Sequence, residues 1–150
     1  MNRTPDRVFL TFIAATPARV WALLTDAVRS PNWFFGQRMD VGKAIGDPFL
    51  ITAGDGSHPV KGKVLAIDPL RRLKVSWDVQ MPGVPKNEME FLIEDLGNAT
   101  KLTIHEYHLG KVEERFLESG REGWSLILAS LKTLLETGKP LPQIRPRPPE

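Results

Sequence analysis

The side chains most able to do chemistry in this chain stand together in His105-Glu106-Tyr107-His108. On a β-strand, neighbouring side chains point to opposite faces, so His105 and His108 cannot converge on one metal ion. Glu106 and His108, two residues apart, share a face. If that face is the one carrying Leu102 and Ile104, both groups look into the interior. A carboxylate beside an imidazole can work as a general acid and base, or hold the polar end of a bound molecule. At an open strand end the same two groups would simply be hydrated. The sequence identifies no third ligand, so no metal site is expected, nor any other cofactor.

Other chemistries lack their signatures. The chain contains no cysteine, which removes thiol nucleophiles, thiolate metal sites and disulfides. It has no G-x-S-x-G elbow, no glycine-rich phosphate loop and no H-E-x-x-H. Gly42 and Gly46 read as turn residues, and His58 in Gly56-Ser57-His58-Pro59 reads as a solvated hairpin position. Arg38 and Asp40 are placed where they could reach a cavity mouth and meet an anionic group.

The element that must position these residues is the stretch Glu122 to Gly138. Trp124, Ile127, Leu128, Leu131, Leu134 and Leu135 recur at the spacing of one helical face, with Ser125, Ser130, Lys132, Thr133 and Glu136 opposite. Gly138 suits a left-handed C-terminal cap, and Pro140 prevents continuation. An apolar stripe this wide needs a large concave partner, which only the upstream strands can supply.

Those strands follow from alternation. Arg7 to Ala14 is strand-like, Thr16 and Pro17 open a short helix ending near Asp26, and Ser30-Pro31 starts a second helical turn that carries Trp33, Phe34 and Phe35. Three consecutive aromatics cannot all point inward from one turn, so some are expected to form a lid or a plug. From Arg38 the period becomes two. Phe49, Ile51 and Ala53 alternate, then Val60 to Ile67 returns. Leu73, Val75, Trp77 and Val79 share one face, as do Met89, Phe91 and Ile93, whose neighbours Glu88, Glu90 and Glu94 are expected to face water. Thr100 to Leu109 completes the set. The predicted fold is α+β: a curved antiparallel sheet of about six or seven strands wrapped around a long C-terminal helix, with two short helices after the first strand. Residues 1–150 are expected to form a single domain, with 139–150 a proline-rich, extended tail.

The formal charge is +2 and the basic residues are scattered, so nucleic acid is not an expected partner. No signal-like run opens the chain and no stretch approaches membrane-spanning length, so neither a membrane partner nor export is expected; the lack of cysteine suits the cytoplasm.

The ordered set of short motifs resembles a known family. The run from Ala15 to Asp26, ATPARVWALLTD, with Trp33-Phe34 after it, is similar to the opening of the activator-of-heat-shock-protein-90-ATPase-like branch of the START/birch-pollen-allergen (SRPBCC) superfamily. Gly62-Lys63-Val64, Asp68-Pro69, Arg72-Leu73, Trp77, Thr100 to Ile104, Gly123-Trp124, Leu131 and Thr137 to Pro142 continue the likeness in order. The resemblance implies a helix-grip fold with a hydrophobic ligand cavity between sheet and C-terminal helix. Chaperone activators of that branch carry a further N-terminal domain, for which 150 residues leave no room, so a chaperone partner is not expected.

The function expected first is therefore binding of a small hydrophobic or amphipathic ligand, such as a lipid. Its candidate contacts are Trp33, Phe49, Trp77, Phe91, Glu106, His108, Trp124 and Leu128; all the apolar ones also read as ordinary core residues. The alternatives are an enzyme of cyclase, dehydratase or hydrolase type using Glu106 and His108 in that cavity, and a protein-interaction or co-chaperone domain. Exposed sheet edges make a homodimer a further expectation.

Overall fold

A computed structural model describes residues 3–142, 144 and 148. Seven antiparallel strands form one sheet: β1 (Arg7–Ile13), β2 (Arg38–Val41), β3 (Pro48–Thr52), β4 (Val60–Asp68), β5 (Arg72–Val79), β6 (Asn87–Asp95) and β7 (Thr100–His108). Their spatial order is β1-β7-β6-β5-β4-β3-β2. The chain therefore returns by hairpins from β2 to β7, and β1 joins the far edge beside β7. The sheet curls around helix α2 (Glu114–Thr137), while α1 (Pro17–Leu24) and a 3₁₀ turn at Ser30–Asn32 link β1 to β2. A register shift between Val64 and Ala66 in the β4–β5 pair is the kind of irregularity that bends a strand. Gly62 on β4 permits a close approach there: a Cβ at this position would lie 1.9 Å from the Ser76 carbonyl oxygen.

The second expected helix is only that single 3₁₀ turn. Its three aromatics split as their backbone requires. Trp33 and Phe34 are buried, and Phe35, with φ of 51°, begins a left-handed turn completed by Gly36 that leaves it partly exposed. Trp33 and Phe34 are thus core plugs, stacked edge-to-face with centroids 5.6 Å apart.

Helix α2 starts two turns earlier than the apolar period suggests. Gly120 weakens the helical signal, but a Cβ there would come within 2.8 Å of the Arg7 guanidinium, so the helix runs on past a glycine that makes room for this side chain. Trp124, Ile127, Leu128, Leu131, Leu134 and Leu135 all face the core, and Gly138 closes the helix with φ of 75° and its N–H donating to Leu134 O. Across the curl, Leu73, Val75, Phe91, Leu102 and Ile104 are all 0–1% exposed, so the concave face is the dry one. The free edge of β1 is covered by α2: Lys132 Nζ donates to Phe12 O at 2.5 Å, and Ala14 N–H donates to Glu136 at 2.8 Å. On the outer face of β1, Val8, Leu10 and Phe12 stay about half exposed. Of the proline-rich tail, residues 143, 145–147, 149 and 150 lie outside the described residues, as do 1 and 2 of the chain's start.

One expected wet position is dry. Glu90 points away from the helix, as its parity demands, yet is only 6% exposed. Arg72 Nε donates to it at 2.6 Å and the Tyr107 hydroxyl at 3.0 Å, with His105 Nδ1 at 3.2 Å. Burial alone would raise this carboxyl, but those hydrogen bonds and the Arg72 charge hold it below the ordinary carboxylate value. Burial, followed by the bond to Glu90, pushes the Tyr107 hydroxyl up to about 12. Arg38 and Asp40 pair with each other at 3.0 Å on the edge strand β2, and neither lines the cleft described below.

Candidate functional site

Strand parity puts Leu102, Ile104, Glu106 and His108 on the concave face of β7. Register then fixes their neighbours. Glu106 lies opposite Arg7 of β1 on one side and Met89 of β6 on the other; His108 lies opposite Asn87, which in turn faces Trp77 of β5. The polar groups therefore collect at one end of the concave face, beside the loop after β5 and the first turns of α2.

At this end sheet and helix part, leaving a cleft of about 210 Å³. Trp77, Val79 and Trp124 give it apolar walls, Phe116 and Leu117 cover it from α2, and Met81 and Val84 belong to the loop after β5. Arg7, Asn87, Glu106, His108 and Ser119 are the polar members. Trp77 and Trp124 touch, with ring centroids 5.3 Å apart.

The charged groups form a linked trio. Arg7 Nε donates to Glu106 Oε2 at 2.5 Å and Arg7 Nη2 to Oε1 at 3.2 Å, while Arg7 Nη1 donates to Leu117 O of α2 at 2.6 Å. The guanidinium thus ties the outermost strand to both the carboxylate and the helix. His108 Nε2 lies 2.8 Å from Glu106 Oε2. The Glu106 side chain is 6% exposed, His108 14% and Arg7 17%, so the trio is shielded without being sealed. An ionised carboxylate only accepts, so His108 contributes its Nε2–H to this contact, which fixes the ring's orientation. Asn87 is 7% exposed, and its Oδ1 is buried with no hydrogen-bond partner among the described residues.

Of the sequence candidates, Trp77, Glu106, His108 and Trp124 come together at this cleft. Trp33, Phe49, Phe91 and Leu128 do not line it; they fill the core deeper along the groove, Phe49 against Trp77 at 5.4 Å and Phe91 against Trp124 at 6.2 Å. His58 bonds Thr52 in its own hairpin at 3.2 Å. Arg7 and Asn87 went unmarked by sequence reasoning. Arg7 is 99 residues from Glu106, and only the β1–β7 register joins them. Asn87, at the first position of β6, shows the parity of Met89 and Phe91, which is the one signal that could have placed it inward. Among the described residues no group of three His, Asp or Glu side chains could hold a metal ion, and no helix is long and apolar enough to cross a membrane.

A seven-stranded sheet curled around one long helix, with a cleft where the two part, defines the helix-grip class of α+β proteins. The chain belongs to the family of activator of Hsp90 ATPase homolog 1-like proteins, whose family model matches residues 14–136. No curated protein matches it. Among solved structures it is similar to CalU16 from Micromonospora echinospora, with 25% identity and a TM-score of 0.71 over 90% of this chain and 76% of that one. It is also similar to DynU16, from the dynemicin biosynthetic locus, with 25% identity and a TM-score of 0.75; 89% of this chain is covered, and it spans about half (48%) of that one. The Aha1 dimer from Colwellia psychrerythraea, at 21% identity, shares the fold with a TM-score of 0.72 over 88% of this chain and 96% of that one.

Proposed function

We propose that this protein binds a small amphipathic molecule in the cleft between the concave face and the first half of α2. The apolar body would lie between Trp77, Val79, Phe116 and Trp124, and the polar end would meet Asn87 and His108. The observation that carries this reading is the company the open space keeps. About 210 Å³ stays unfilled beside a largely buried Arg7–Glu106–His108 trio. Burying charges costs desolvation that a well-packed apolar end would avoid, so a core built for stability alone gains little from this arrangement. Native mass spectrometry of the purified protein, followed by denaturation, tests it. The expected result is a small molecule that leaves on denaturation and is absent from a folded Val79→Trp variant, whose indole would fill the cleft. A bare chain mass in both forms, with no uptake of added amphiphiles by the wild type, would refute it.

A second reading, an enzyme of cyclase, dehydratase or hydrolase type, is favoured by one contact, the 2.8 Å bond of His108 to Glu106. In it the imidazole moves the proton, and Glu106, already engaged by Arg7, orients the ring. Glu106→Gln would then lose turnover while binding survives; unchanged turnover would sink it. Homodimerisation remains part of the proposal. It rests on the half-exposed Val8, Leu10 and Phe12 of the edge strand, and predicts a solution mass of twice 16.8 kDa by light scattering.

A further inference from the structure

The polar atoms of the cleft differ in what they have left to offer. Its one cation, Arg7, directs Nε and Nη2 to Glu106 and Nη1 to Leu117 O. Its one carboxylate, Glu106, receives Arg7 twice and His108 once. These two charges cancel, and among the described residues no other lysine, arginine, aspartate or glutamate lines the space. An anionic ligand would find no uncommitted cation to replace its lost hydration.

Arg7 keeps two further N–H groups and Asn87 its amide NH₂, but the cleft's buried polar atom left without a partner among the described residues is an acceptor. Asn87 is 7% exposed, it lines the cleft, and its Oδ1 is buried without a partner. An orphaned acceptor of this kind is costly in a folded protein and is expected where a ligand completes it. His108, directly across the β6–β7 ladder from Asn87, has its Nε2–H directed at Glu106. One unpartnered acceptor, in a site of balanced charge walled by Trp77 and Trp124, defines a complementary molecule.

Resting on the cleft reading proposed above, we infer that the ligand is an uncharged apolar molecule whose polar end donates hydrogen bonds. A phenol, an alcohol or a primary amide meets that description; a carboxylate or a phosphate does not. Asn87 is then the residue that sets this preference, and no covalent step is involved.

Three probes of one size separate the possibilities: 2-naphthol, naphthalene and 2-naphthoate, titrated into the full chain near neutral pH by calorimetry or amide chemical-shift changes. Wild type should bind naphthol about tenfold more tightly than naphthalene, the worth of one satisfied hydrogen bond, and naphthoate more weakly still. Asn87→Leu should remove naphthol's advantage while naphthalene still binds. Asn87→Asp, which keeps an acceptor in the same shape, should retain the advantage, and covers the case in which the leucine variant fails to fold. Naphthoate binding as well as naphthol, or a naphthol advantage that survives Asn87→Leu, would overturn the inference while leaving the cleft a binding site. If none of the three shifts any cleft residue of the wild type, the binding reading fails and the inference with it.

Discussion

The strongest single test of the site's construction is a mutant cycle on Arg7 and Glu106. Three N–H groups converge on the Glu106 carboxylate: Arg7 Nε at 2.5 Å, Arg7 Nη2 at 3.2 Å and His108 Nε2 at 2.8 Å. Glu106→Gln keeps the shape but leaves one acceptor oxygen, and its new NH₂ must then face at least one of the three donors. At least one hydrogen bond is inverted and the others lose the carboxylate charge, which puts about two charged bonds' worth at stake, each about 1.5–3 kcal/mol. The guanidinium keeps only Leu117 O and remains largely buried. Its 17% exposure and the adjoining cleft admit some water, which argues for the lower part of that range, about 3 kcal/mol in all. For a chain of this length that is a fall in melting temperature of roughly 6–12 °C. Arg7→Met removes the cation while preserving side-chain length, and should destabilise less, since His108 still donates to the carboxylate. In the double variant neither charge is left alone, so its loss should fall short of the summed single losses by at least about 1 kcal/mol. Urea unfolding followed by tryptophan fluorescence reads all four proteins, because Trp77 and Trp124 border the trio. Additive single effects, or a loss below about 1 kcal/mol for Glu106→Gln, would show that the trio is not coupled as its distances indicate.

Two further predictions concern the sheet. Gly62→Ala should cost more than about 2 kcal/mol, because its Cβ would meet the Ser76 backbone oxygen at 1.9 Å and neither strand can yield without losing register; an unchanged urea midpoint would contradict the observed approach. The outer-face network should appear as pH dependence at both extremes. Tyr107, raised to about 12, keeps its proton in the fold while an unfolded tyrosine loses it near pH 10, so its contribution is complete below about pH 10 and fades as pH climbs towards 12. Glu90, depressed in the fold, contributes fully above the ordinary glutamate value near about 4.3 and loses that contribution as pH falls below it. Tyr107→Phe should flatten the alkaline slope of the urea midpoint relative to wild type, and Glu90→Gln the acid slope.

Sequence reasoning reached some of this architecture because the relevant signals are local. The alternation of Leu73, Val75 and Trp77, the helical period from Trp124 to Leu135, and the cap at Gly138 each depend on residues within one element. The pairing of Glu106 with His108 was legible for the same reason. What lay beyond reach depended on register between distant strands. Arg7 meets Glu106 only through β1–β7 pairing, and Glu90 is dry because Arg72, His105 and Tyr107 of neighbouring strands close on it. Parity also tells which face a residue occupies but not how far along the groove it sits. For that reason Phe49, Phe91 and Leu128 read as cleft candidates while they belong to the core.

The covering of β1 by Lys132 and Glu136 has a consequence in time. A chain leaves the ribosome N-terminus first, so Arg7–Ile13 is made long before its ladder partner Thr100–Glu106 and before the helix whose side chains occupy its edge. At about 5–20 residues per second, that interval is about 5–20 s. Throughout it, the run RVFLTFI is a short, apolar, proline-free strand with no mate, the composition from which intermolecular sheets start. The hairpins from β2 to β7 can form as they emerge, since each pairs with its successor. The first strand cannot. A helix synthesised after all seven strands is therefore the latch on β1, and the passage to this fold leaves that strand exposed until α2 is made.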